Sequence, residues 1–401
     1  MDSLEGSVYF RTMRSPLLTL LSLAVGGLCI GTTEFAAMGL LPFIARDLSA
    51  SIPLAGWIIT AYALGVVVGA PLLTILAARM DRKRLLVLLM AFYSAANLAS
   101  AFVPSLGWLV LSRFLAGLPH GAFFGVGSVM GAHVAGADKR GRAMAIMLAG
   151  LTVANVVGVP LVTAAGMALG WRLSFVGVAI LGLVTLAGVA WLAPGLPVDA
   201  QSTVRREMKA LGHGPLWLAF FSAAIGFGGM FAVYSYVSPL LTDAAHLDIS
   251  WVPWVLSLFG MGMTLGTLTS GRALDRSVSA ATLAGFGGTA LILLVIGLFA
   301  ANPWVAVPAL FLLGFVTAYI AMPMQARLMD LSPRAPSLGA ALSHSALNIG
   351  NASGAAFGGL VLALGWGDLA PAWVGLGLTL VGGALFLVTV LNPRWGAPHR
   401  S

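Results

Sequence analysis

Two charged side chains in this sequence lie where charge is expensive. Of its 13 acidic residues, Glu34 is the one set well inside a long apolar run, residues 17–43. Arg113 is the one basic residue inside another, residues 107–134. Placing a charge at the centre of a hydrocarbon layer costs about 2.5 kcal/mol or more, so Glu34 requires a partner, a water-filled cavity or a proton. As helices, the two runs put Glu34 about 13 Å and Arg113 about 9 Å below the same side, so their charged heads could meet. Two readings stay open. One is a structural ion pair joining the two helices. The other is a protonatable carboxylate kept charged by Arg113 until something separates the two.

His120 follows Arg113 on one helical face, with Gly117 and Phe124. An imidazole there suits a proton or substrate partner, and equally a satisfied interior histidine. His344, Asn348 and Asn351 recur at i, i+4 and i+7, a polar stripe in an apolar helix that lines either a cavity or a helix interface. Gln325, Tyr234, Tyr236 and Asn155 add hydrogen-bonding capacity, and Met38 follows Glu34 by one turn. The expected substrate-lining set is Glu34, Met38, His120, Tyr234, Tyr236, Gln325, His344 and Asn348. The expected proton-handling set is Glu34, Arg113 and His120. Asn155 and Asn351, beside small residues, fit interface hydrogen bonds as well as they fit a cavity.

The elements that position these groups follow from composition. The 401-residue chain is 59% hydrophobic and 8% charged, against about 45–50% and 25% for soluble domains. Its mean hydropathy is +0.97. Lipid must solvate most of it, so it reads as an all-α integral membrane protein. A single cysteine, Cys29, excludes a disulfide framework or a cysteine-based metal site. None of the lysines sits in a phosphate-binding loop, and neither His-Glu-x-x-His nor Gly-x-Ser-x-Gly occurs. No enzyme, cofactor or metal site is therefore expected.

Twelve apolar stretches of about 20 residues run from 17–43 to 369–391. Of the 21 basic residues, all but Arg46, Arg172 and the intraspan Arg113 fall on one side of these spans. Such asymmetry puts both termini and the basic loops in the cytoplasm. It explains the +8 net charge as a topology signal, and no nucleic-acid partner is expected. Residues 1–16 are polar and the following run is too long for a cleaved signal peptide.

The longest polar connection divides the chain into bundles at 1–194 and 215–401, joined by a cytoplasmic linker at 195–214. The halves repeat. A shift of 197 superposes Pro42 on Pro239, Trp57 on Trp254, Gly65 on Gly262, Gly69 on Gly266 and Gly117 on Gly314. Glu34 then falls on Phe231 and Arg113 on Leu310, so the charged pair belongs to one half alone. Twelve transmembrane helices in two pseudo-symmetric six-helix bundles suit alternating access around a midplane site.

The chain resembles the major facilitator superfamily over its full length, and within it the drug:proton antiporter group of arabinose-efflux and chloramphenicol-resistance proteins. The runs carrying this are Gly31-Thr-Thr-Glu-Phe-Ala-Ala-Met-Gly-Leu-Leu-Pro, Arg113-Phe-Leu-Ala-Gly-Leu-Pro-His-Gly, and Thr152-Val-Ala-Asn-Val-Val-Gly-Val-Pro, the last similar to the antiporter motif of exporters. Two departures are visible. The family's loop acid before Arg-x-Gly-Arg is Ala78 here and its glycine is Asp81, and the Gly-Pro pair is stretched to Gly158-Val159-Pro160.

The resemblance implies proton-coupled export of small organic molecules across a bacterial inner membrane, with substrate, protons and the bilayer as partners. The mostly apolar and aromatic set of candidate lining residues, with few charges, favours neutral or amphipathic solutes, and a monomer is expected. A facilitator or proton symporter of the same fold is the alternative. Gating is expected at Gly158 and Pro160, where a missing N–H lets the helix bend. A second gate is expected from Arg79, Asp81 and Arg82 against Asp275 and Arg276, which the repeat brings to the seam between the bundles.

Overall fold

The computed structural model describes residues 16–76, 80–136, 140–196, 214–332 and 336–392. Among these, 12 helices are long and apolar enough to cross a membrane. In chain order they are α1 (Pro16–Gly39), α2 (Trp57–Leu76), α3 (Arg82–Ala101), α4 (Leu106–Ala135), α5, α6 (Trp171–Leu192), α7 (Gly214–Tyr234), α8 (Val252–Arg276), α9 (Val278–Phe299), α10 (Pro303–Asp330), α11 (Pro336–Ala363) and α12 (Ala370–Leu391). Helix α5 has three parts: Arg140–Val153, a π-helical turn Ala154–Gly158, and Val159–Leu169. Every regular element among the described residues is helical. In lipid the backbone must satisfy its own hydrogen bonds, and helices do so within one segment.

The ends follow local chemistry. Asp81 caps α3 by accepting from the Arg84 N–H at 2.9 Å, and Asn302 caps α10 through Trp304 N–H at 3.0 Å. The first apolar run is expected to stay helical to residue 43, but α1 stops at Gly39 and a separate short helix, Leu41–Asp47, follows. Pro42 is the reason, since its ring removes an N–H and crowds the preceding turn. The repeat copy behaves alike: α7 ends at Tyr234, ahead of Pro239.

The internal repeat is visible as packing. Gly65, Gly69 and Gly117 bring α2 and α4 together, facing the backbone carbonyls of Phe114, Leu118 and Tyr62. Gly262, Gly266 and Gly314 face those of Phe311, Phe315 and Phe259 between α8 and α10, each partner displaced by the same 197 residues. Small residues at such crossings let helices associate where no hydrophobic force acts between them. Gly262→Ala should therefore destabilise the C-terminal bundle by about 1–3 kcal/mol, because the added methyl meets rigid backbone. A melting temperature in detergent equal to that of the parent would overturn this.

The two bundles close against each other on the arginine-poor side. Phe35 of α1 stacks on Phe231 of α7 with centroids 6.1 Å apart and meets Tyr234 edge-on at 5.8 Å. Tyr234 stacks in turn on Phe259 of α8 at 3.9 Å. Thr60 of α2 donates to the Ala352 carbonyl of α11 at 3.4 Å. On the same side Arg172 pairs with Asp47, tying the start of α6 to the helix after α1. That guanidinium, helped by Trp171 N–H and opposed by slight burial, holds the Asp47 carboxyl below its ordinary value. On the arginine-rich side, Arg272, Asp275 and Arg276 at the end of α8 are exposed.

Candidate substrate and proton site at the bundle seam

Arg113 is 1% exposed and organises the N-terminal bundle. One of its terminal nitrogens donates to Thr33 Oγ1 and Asn97 Oδ1, both at 3.1 Å, and the other to the Thr33 carbonyl at 2.9 Å. Thr33 also donates to Asn97 at 2.8 Å. The guanidinium lies over the rings of Tyr62 and Phe175, at 4.5 and 5.1 Å. Helices α1, α2, α3, α4 and α6 thus meet at one cation.

Glu34 does not share in this. No ion pair joins it to Arg113 among the described residues, although the two lie near enough to interact electrostatically. Matching depth in two helices leaves their rotation open, and neighbours such as Thr33 and Glu34 point about 100° apart around the helix axis. Thr33 turns into the bundle toward Arg113. Glu34, half-buried, turns to the seam, where its Oε1 accepts from Asn351 Nδ2 of α11 at 3.4 Å.

Around Glu34 the structure sorts the other expected residues by depth. His120 is buried with Nδ1 3.2 Å from the Tyr62 hydroxyl. Its ring meets Phe124 at 5.4 Å, and Phe124 stacks on His344 of α11 at 6.0 Å, so aromatic faces from both bundles form one row. Asn348 donates to the His344 carbonyl at 2.9 Å. Gln325 is half-buried in the arginine-rich third of α10. Met38, Tyr234 and Tyr236 are instead packed into the closed seam, each at most 2% exposed. Met38 lies a turn beyond Glu34, where the bundles already touch, and the Tyr236 hydroxyl donates to the Ala355 carbonyl at 2.8 Å.

The expected gating residues also divide. Gly158 closes the π-helical turn of α5, and the Val159 N–H reaches back to the Ala154 carbonyl. Pro160 has no N–H for the preceding turn, and the Val156 carbonyl in that turn accepts from Ser257 Oγ of α8 at 2.7 Å. One turn along α8, Gly260 packs on the Asn155 carbonyl. The helix defect is therefore a docking point for the opposite bundle. Pro160→Ala should restore a competing intrahelical donor and loosen α5 from α8. The check is a cross-link between cysteines replacing Val157 and Met261, expected to slow at least threefold; an unchanged rate would show the defect has no part in docking.

Asp81 stays within its own bundle. Besides capping α3 it accepts from the Leu196 N–H at 2.8 Å, holding the chain just past the end of α6. Asp275 and Arg276 make no bond to it, and Arg79 lies outside the described residues. Sequence reasoning passed over Asn97, Tyr62 and the gate aromatics Phe35, Phe231 and Phe259. A polar residue in mid-span would have marked Asn97, as it marked Asn348. Nothing in the pattern distinguishes the phenylalanines from ordinary packing.

Two six-helix bundles that close against each other on the arginine-poor side, above a carboxyl and two imidazoles, have the architecture of a membrane transporter. The Major Facilitator Superfamily model matches residues 23–276. The chain is 41% identical over 371 residues to the inner membrane transport protein YdhP of Escherichia coli K12, covering 92% of this chain and 94% of that one. It is 34% identical to the chloramphenicol resistance protein of Streptomyces lividans, covering 89% and 92%. The nucleoside transporter NupG superposes with a TM-score of 0.77 at 14% identity, over 93% of this chain and 99% of that one. The chain belongs to the major facilitator superfamily, in its arabinose-efflux and chloramphenicol-resistance group, and is a multi-pass membrane transporter.

Proposed function

We propose that this transporter is a proton-coupled exporter of small neutral or amphipathic organic molecules, such as drugs or sugars, working as a monomer. The arginine-rich side is cytoplasmic, with both termini there, so the closed seam faces outward and substrate enters from within. One observation carries the reading: Glu34, a half-buried carboxyl with no ion-pair partner among the described residues, sits where the two moving halves touch. A lone acid at that depth exchanges a proton whenever its surroundings change. The row of His120, Phe124 and His344 offers flat, weakly polar surfaces beside it, suited to uncharged rings rather than polyanions. The name of the Streptomyces relative supports export of an organic drug.

Purified protein in liposomes with an acidic lumen should accumulate chloramphenicol or arabinose in the lumen, in exchange for protons, through the inside-out fraction. Collapse of the gradient by a protonophore should abolish accumulation. Equilibration without accumulation would make the protein a facilitator. Accumulation only when the gradient is reversed would make it a symporter.

A further inference from the structure

Asn351 carries an unused acceptor. It is 1% exposed, and while its Nδ2 donates to Glu34, its Oδ1 makes no hydrogen bond. A buried amide oxygen left empty costs about as much as a lost hydrogen bond, and a carboxylate facing it makes matters worse, since both are acceptors. A protonated Glu34 removes the conflict. Its O–H can donate to Asn351 Oδ1 while its other oxygen keeps accepting from Nδ2, giving a two-bond acid–amide pair.

We infer that Asn351 reads the protonation of Glu34 for the C-terminal bundle: the acid–amide pair latches α1 to α11 and keeps the outer side closed until the proton leaves. This deepens the proton-coupled reading of Glu34 and rests on it. When substrate arrives from the cytoplasm and the proton departs to that side, the latch loses its O–H donor, and the carboxylate repels the amide oxygen. The seam is then held by Thr60, Ser257 and the Phe35–Phe231 contact, and the outer side can open.

Other titratable groups face this point. Tyr62 of α2 and Arg113 of α4 interact with Glu34 electrostatically, His120 bonds Tyr62, and His344 of α11 lies beyond Phe124. Tyr234 of α7 approaches through Phe35. The intramembrane stretches of α5 and α8, residues 146–169 and 252–271, contain no titratable side chain.

The test reads opening of the outer side. Cys29, the single native cysteine, is replaced by alanine, and Leu256→Cys places a thiol in the closed seam, where Leu256 is 0% exposed. Labelling by a membrane-impermeant maleimide, corrected for reagent reactivity, is followed from pH 5.5 to 8.5 in right-side-out vesicles. Labelling should rise with pH in this background. Glu34→Gln, whose amide copies the protonated acid, should keep it low and flat. Asn351→Leu should raise low-pH labelling about three- to tenfold, the worth of one or two hydrogen bonds, and flatten the rise. Glu34→Gln with Asn351→Leu should behave as Asn351→Leu alone. If Asn351→Leu keeps the parental pH response while Glu34→Gln abolishes it, Glu34 is the proton site and Asn351 is not its reader. If Glu34→Gln itself keeps the response, the coupling role of Glu34 fails. Size-exclusion profiles check folding, and Asn351→Ser, which also removes the amide, gives the same readout where the leucine variant is misfolded.

Discussion

Glu34→Gln is expected to reduce proton-driven export to the background of empty liposomes, while the protein still folds, inserts and binds substrate. The amide keeps the shape of the side chain and the hydrogen bond from Asn351. It cannot release a proton, so any step requiring that release stops. Folding should not suffer, because neutralising an intramembrane acid removes a burial cost. Substrate exchange down a concentration gradient should fall as well, because the amide copies the protonated acid and keeps the outer side closed, while binding from the cytoplasmic side persists. The measurement is paired: uphill transport under an imposed pH gradient, and substrate-induced thermal stabilisation in detergent, which reports binding to the folded state. Full uphill transport by this variant would remove Glu34 from the coupling mechanism. Loss of both transport and stabilisation would make it a substrate ligand alone.

The second large effect concerns Arg113. Truncation to alanine strips Asn97 and Thr33 of a charged donor and leaves a void between Tyr62 and Phe175. Hydrogen bonds to a charged group are worth about 1.5–3 kcal/mol each, partly offset here by relief from burying the charge. A net loss of a few kcal/mol should follow, with a lower melting temperature and transport reduced at least tenfold. Arg113→Lys should not restore it, since a single ammonium cannot span the two-nitrogen fork that holds Thr33 and Asn97. The reading in which Arg113 keeps a protonatable Glu34 charged expects something different, an upward shift in the pH optimum of transport for Arg113→Ala. The observed geometry predicts lost stability with a pH optimum shifted by less than about half a unit. Scanning residual transport against pH in the alanine variant separates the two.

Much of the architecture was legible before any coordinates. Each of the twelve spans announces itself, because in lipid the cost of a residue depends mainly on its own side chain and depth. The arginine asymmetry and the repeat are likewise properties of the chain read along its length. Pro42 with Pro239, and the glycines of α2 and α8 with their carbonyl partners, reappear in the structure at the spacing the repeat requires. The intramembrane charges could be singled out for the same reason, since no neighbour is needed to know that Glu34 and Arg113 are costly.

Partnership was not legible. Glu34 and Arg113 match in depth, yet one faces Asn351 across the seam and the other Thr33 and Asn97 inside its bundle. Met38 follows Glu34 by one turn and is nevertheless sealed in the closed half. Asp81, at the expected place for a gate, caps its own helix and holds Leu196. The π-helical turn before Pro160 matters because Ser257 of the other bundle reaches the Val156 carbonyl. Hydropathy and periodicity locate a residue along a helix and on one of its faces. Which neighbour that face meets depends on how each helix is rotated and how the bundles lean together. Those rotations are set by close backbone contacts between helices far apart in the chain, so only the folded structure decides whether a buried charge meets a counter-charge, an amide or a ring.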